Sequence, residues 1–128
     1  MAELQRIMYV EDEPDIQAVA KLALEALGGF TVKVCSSGQE ALDSIAAFAP
    51  ELVLLDVMMP GMDGPSTLKA LRAMPEWAGI PVMFMTAKVQ PPEVLEYKNM
   101  GALDVIPKPF DPMTLADTVK RIWAEAHG

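Results

Sequence analysis

Several side chains in this sequence have the types and placement to work on a phosphoryl group. Glu11, Asp12 and Glu13 follow one short apolar run, and Asp56 ends another, Leu52-Val53-Leu54-Leu55. Thr86 follows a third run, and Lys108 a fourth. Carboxylates crowded into one crevice repel, and each raises the pKa of the others unless a cation neutralises them. A hard divalent ion such as Mg2+ meets that need, because it takes oxygen ligands, keeps several waters and is commonly held by one or two carboxylates together with a phosphate. A carboxylate nucleophile, a cation to shield charge, and a hydroxyl and an ammonium for the phosphoryl oxygens are the parts an aspartyl phosphate requires. Each acid alone could equally be a helix cap or a solvated loop residue. Asp56 is the exception, because an ionised group at the end of an unbroken apolar strand gains nothing from packing and needs a partner.

These residues converge only if the elements bring them together. Short apolar runs alternate with longer amphipathic ones five times, with no linker or low-complexity stretch, which is βα repetition. The predicted strands are Arg6 to Val10, Thr31 to Cys35, Leu52 to Asp56, Pro81 to Met85 and Asp104 to Pro107. Near-continuous Val, Ile, Leu and Met in several of them fit parallel strands buried on both faces. The predicted helices are Glu13 to Leu27, Gly38 to Phe48, Pro65 to Met74, Pro91 to Met100 and Pro112 to Ala126. Ser37 followed by Glu40 has the spacing of a capping box, and Asp111 before Pro112 places an acceptor ahead of a proline at the first helical position. Gly28 and Gly101 suit helix stops. The sum is an α/β fold, a flavodoxin-like doubly wound (βα)5 three-layer sandwich with a parallel sheet of order 2-1-3-4-5. Ligands of such sheets bind beyond the carboxyl ends of the strands, where the strand order reverses; Glu11, Asp12 and Asp56 should converge there, with Thr86 and Lys108 facing the same crevice.

Composition bounds the remaining possibilities. The 128 residues match one domain, and 52% hydrophobic with 22% charged residues is ordinary globular material. A net charge of −8 without a basic stretch argues against nucleic acid. No apolar run is long enough to span a bilayer and the first residues do not resemble a signal peptide, so a cytoplasmic protein is expected. Cys35 is the only cysteine, which excludes an internal disulfide or a cysteine-zinc cluster and leaves a small buried apolar role. The single histidine, His127, sits in the terminal tail.

In order and spacing, Val10-Glu11-Asp12-Glu13, Leu55-Asp56-Val57-Met58-Met59-Pro60-Gly61-Met62-Asp63-Gly64, Met85-Thr86-Ala87-Lys88 and Lys108-Pro109-Phe110 resemble the receiver domains of two-component response regulators, over nearly the whole chain. The resemblance implies that Asp56 is the phosphoacceptor, and that Asp12, Asp56 and the backbone carbonyl of Met58 ligate Mg2+, for which Mn2+ could substitute, with Glu11 holding metal-bound water. Thr86, Ala87 and Lys108 would surround the phosphoryl oxygens together with Met58, and the Lys108-Pro109 bond would be cis. A histidine kinase or histidine phosphotransfer protein would be the donor, a downstream protein the target, and the chain a monomer or weak dimer. It would be a self-modifying switch with slow autodephosphorylation rather than a turnover enzyme, with residues 1–128 forming one receiver domain and no output domain. The fourth helix, fifth strand and fifth helix would carry the response, with Thr86 and Val105 at switch positions.

Some positions depart from the family pattern. Val105 stands where many receivers carry Tyr or Phe, Val57 where some carry Trp, and Pro107 fits an edge strand. Lys88 and Met58 lie where side chains tune water access. A dehalogenase-like phosphatase would need a second Asp where Met58 stands, and a flavin carrier would need a phosphate loop where Glu11-Asp12-Glu13-Pro14 would repel phosphate. A degenerate receiver, binding partners without phosphorylation, is the other alternative.

Overall fold

The computed structural model describes residues 3–127. Five parallel strands form one sheet in the order β2-β1-β3-β4-β5. They are β1 (Arg6–Val10), β2 (Thr31–Cys35), β3 (Leu52–Asp56), β4 (Val82–Thr86) and β5 (Asp104–Pro107). Between and after them run α1 (Pro14–Leu22), α2 (Gly38–Phe48), α3 (Gly64–Ala73), α4 (Pro91–Asn99) and α5 (Leu115–His127). The predicted fold and strand order both stand.

Strand alternation divides the core in two. Ile7, Tyr9, Leu52, Leu54, Met83 and Met85 pack with Leu24, Val119 and Ile122 on the α1/α5 side. Met8, Val10, Val53, Leu55, Val82 and Phe84 pack with Ile45, Leu68 and Leu71 on the other. Every residue of β3 and β4 is buried, as expected of central strands covered on both faces. The register pairs Val10 with both Cys35 and Leu55, Asp56 with Met85, and Thr86 with Pro107. The carboxyl ends of the strands are therefore level, so residues at or just beyond them face one another.

Several boundaries differ from the sequence expectation. β4 runs one residue later than predicted, so Thr86 belongs to the strand and its backbone is fixed by the sheet. The first helix is α-helical only to Leu22 and continues as a π-helical turn over Ala23–Leu27, which buries Leu24 while Leu27 stays exposed. Gly28 ends this segment with a negative φ, and the left-handed residue is Gly29, at φ +74°. Gly28 is instead needed for space, because a Cβ there would lie 2.6 Å from the Leu24 carbonyl oxygen. Gly101, at φ +107°, does take the left-handed stop. The Ser37 hydroxyl accepts from the Glu40 N–H at 3.0 Å, but the Glu40 carboxylate accepts from the N–H of Ser36 rather than of Ser37. α5 begins at Leu115 rather than Pro112. The Asp111 side chain caps the Met113 N–H, and the N–H groups of Thr114 and Leu115 both turn onto the Asp111 carbonyl, so the preceding residues form a separate turn. β5 is the edge strand, which accommodates Pro107.

Candidate functional site

Glu11 continues from β1 and is only 1% exposed, while Asp56, the last residue of β3, is 3% exposed. Asp12 is half-buried beside them, and one carboxylate oxygen from each of the three lies within 4.8 Å of the others. Lys108, just past β5, reaches across this hollow: its Nζ is 2.8 Å from Glu11 Oε1 and 3.1 Å from Asp56 Oδ1. Thr86, 2% exposed, completes the set at the end of β4, where its Oγ1 accepts from the Lys88 N–H at 3.1 Å. The Thr86 carbonyl accepts from the Lys108 N–H, tying these two candidate residues together through backbone.

The electrostatics follow from burial and crowding. Burial, then the neighbouring Glu11, push the Asp56 carboxyl up to about 6, and Lys108 offsets only part of this. Burial pulls Lys108 down, but its bonds to Glu11 and Asp56 more than compensate, so its ammonium is held above the ordinary value. One ammonium among three carboxylates leaves the hollow with an excess of negative charge. Hard anionic oxygens this close together are the donor set a small divalent cation takes. The residues fit a magnesium-type ion.

Local structure explains the placement of Asp56. The chain leaves β3 with the Val57 N–H bonded to the Met85 carbonyl, then returns so that the Gly64 N–H bonds to the Val57 carbonyl. A Cβ on Gly64 would lie 2.5 Å from the Asp56 carbonyl oxygen and 2.8 Å from Val57 Cα, so only glycine permits this closure. Asp63 caps α3 by accepting from the Ser66 N–H at 2.8 Å. Met58 is 69% exposed at the mouth, and Ala87 and Lys88 are exposed on the loop after β4.

A model of the response regulator receiver domain matches residues 7–120. The chain belongs to this family. Similar proteins include the DNA-binding response regulator MtrA of Mycolicibacterium smegmatis, 36% identical over 116 residues that make up 91% of this chain and 49% of that protein. The transcriptional regulatory protein CseB of Streptomyces coelicolor is 34% identical over 122 residues, 95% of this chain and 50% of that protein. The chain thus spans about half the length of these curated relatives. Among solved structures, the chemotaxis response regulator CheY4 of Vibrio cholerae superposes with a TM-score of 0.85 at 28% identity, covering 94% of this chain and 99% of that one. The receiver domain of the Francisella response regulator 1452 gives 0.83 at 27% identity, covering 95% and 98%.

The chain is thus a response regulator receiver domain of two-component signalling. Among the described residues no helix is long and apolar enough to cross a membrane. In this receiver Glu11, Asp12, Asp56, Thr86 and Lys108 come together as the sequence led us to expect, and the Lys108-Pro109 bond is cis. Val105 is half-buried opposite Phe84, and an aromatic ring does occupy that face: Tyr97 of α4 packs edge-on against Phe84 with centroids 5.1 Å apart. Sequence reasoning missed two residues that support the site. Gln17 donates to the Glu11 carbonyl and to Ser36 Oγ, linking the ends of β1 and β2. Tyr9 points its hydroxyl at Glu11 Oε1, 3.4 Å away. The two-residue spacing puts Tyr9 and Glu11 on one face, but a tyrosine in a buried strand otherwise reads as core.

Proposed function

We propose that this receiver is a phosphorylation switch in which Asp56 accepts a phosphoryl group from a phosphohistidine of a sensor kinase or phosphotransfer protein. The observation that carries the reading is the buried Asp56 carboxylate at the mouth of an acidic hollow, with Lys108 and Thr86 at the adjoining strand ends. Asp12, Asp56 and the Met58 carbonyl would hold Mg2+, with Glu11 engaging it through water. The ion would offset the repulsion between an anionic nucleophile and an anionic phosphoryl group.

In the reaction, an Asp56 oxygen forms a bond to phosphorus as the bond from phosphorus to the imidazole nitrogen breaks, and the electron pair leaves with the imidazole. Lys108 releases Asp56 Oδ1 and places its ammonium on a phosphoryl oxygen, and Thr86 turns its hydroxyl inward to donate to another. Small Ala87 leaves room for that turn and, with Met58, bounds the phosphoryl pocket. Attack of water on the phosphorus later releases phosphate and restores the Asp56 carboxylate, so the chain modifies itself rather than turning over a substrate.

The rearrangement at Thr86 and Lys108 shifts the packing of α4, β5 and α5, which carries the signal to a protein target. α4 suits this role, because none of its residues is fully buried. Thr86 and Val105 occupy the switch positions. Residues 1–128 act as one receiver domain in the cytoplasm, as a monomer or weak dimer, and contact with nucleic acid is not part of their role.

The test is incubation with acetyl phosphate, with and without Mg2+, followed by intact mass measurement. One metal-dependent phosphoryl adduct, absent in Asp56→Asn, is expected. Equal labelling of Asp56→Asn overturns the reading.

A further inference from the structure

Glu11 is the most enclosed acid of the hollow, and its bonds are unevenly secured. Oε2 accepts from the Glu13 N–H at 3.2 Å. Oε1 is shared between Lys108 Nζ at 2.8 Å and the Tyr9 hydroxyl at 3.4 Å. An ionised carboxylate 1% exposed needs its donors, because an unmatched charge in such a place is expensive. Lys108 is the stronger of the two, and the switch reading requires it to leave for the phosphoryl group. Among the described residues, Oε1 then keeps a single side-chain donor, the Tyr9 hydroxyl.

We infer that Tyr9 is a positioning residue for Glu11, its hydroxyl holding the carboxylate in the hollow when Lys108 moves to a phosphoryl oxygen. The inference rests on the switch reading and adds to it a residue that touches neither metal nor phosphate. Tyr9 is built for a fixed task. It is 0% exposed near the carboxyl end of β1, paired with Val34 and Leu54, and its ring is packed in the core on the α1/α5 side. A ring locked in this way delivers its hydroxyl to one place at little entropic cost. At 3.4 Å its bond is long for O–H···O, as expected where an ammonium already occupies the same oxygen, and it has room to shorten when that oxygen is vacated.

The expected signature is coupling between Tyr9 and Lys108 through the shared oxygen. Isothermal titration calorimetry would give the Mg2+ dissociation constant for wild type, Tyr9→Phe, Lys108→Ala and the double variant, with thermal melts confirming that each is folded. With Lys108 present, Tyr9→Phe should weaken Mg2+ binding less than about twofold; with Lys108 removed, the same change should weaken it about fivefold, the scale of one hydrogen bond to a charged group discounted for length. Lys108→Met, with a longer apolar stem, replaces Lys108→Ala if the latter does not fold. Equal effects of Tyr9→Phe in both backgrounds, or none in either, overturn the inference while wild-type Mg2+ binding keeps the switch reading intact. Failure of the wild type itself to bind Mg2+ overturns both.

Discussion

Removing the charge of Asp56 should make the metal-free protein more stable. The carboxyl is raised from an ordinary 3.8 to about 6, with burial as the main cause. An acid whose folded pKa is raised binds its proton more tightly when folded. The resulting stability is present in full below about pH 3.8 and is lost as the pH rises through about 6. Above that point the ionised Asp56 works against folding by as much as the whole shift, roughly 3 kcal/mol at about 1.4 kcal/mol per pH unit. Asp56→Asn keeps the shape and an acceptor for Lys108 but removes the charge, so it should gain about 1–3 kcal/mol at pH 8 in a chelator. That corresponds to a rise of about 3–10 °C in melting temperature for a domain of this size. The gain should shrink toward zero near pH 4. Added Mg2+ should stabilise the wild type more than the variant and narrow the gap. Urea unfolding across pH, with chelator and with Mg2+, measures all three effects. An Asp56→Asn protein no more stable than wild type at pH 8 without metal would refute the claim that the ionised Asp56 is held in the hollow against its burial and its acidic neighbours.

Further predictions concern the residues around Asp56. Lys108→Ala should still be labelled by acetyl phosphate but should show a weaker conformational response, read as smaller amide shift changes in α4 and β5 by NMR; an undiminished response would remove Lys108 from the switch. Gly64→Ala should lower stability by about 1–3 kcal/mol in urea and slow labelling, because the new methyl meets backbone at 2.5 Å and 2.8 Å. Mn2+ should restore labelling after chelation of Mg2+, as checked by intact mass.

Much of this was legible in the sequence, for identifiable reasons. Five apolar runs with turn signals between them fix a parallel βα array, and the unbroken Leu52-Val53-Leu54-Leu55 marks a central strand. The convergence of Glu11, Asp12, Asp56 and Lys108 followed from their positions at strand ends, which that topology gathers into one place. Element ends were less readable. At Pro112 the sequence offered a good helix start, yet bonds converging on the Asp111 carbonyl make a separate turn first. At Gly28 and Gly29 either glycine could take the left-handed position; Gly29 takes it, while Gly28 is kept without a side chain by the nearby Leu24 carbonyl and Phe30 ring. Tyr9 was hidden differently: a tyrosine in a buried strand reads as core, and only three-dimensional placement shows its hydroxyl turned toward Glu11. The π-helical turn at Ala23–Leu27 has no signature that periodicity could reveal.

The most direct test of the account is to locate the phosphoryl group. After labelling in Mg2+, borohydride reduction of the acyl phosphate and tandem mass spectrometry of the peptides should place the modification on Asp56 and on no other acid. A modification on Glu11, Asp12 or His127, or one that forms equally well in chelator, would contradict it.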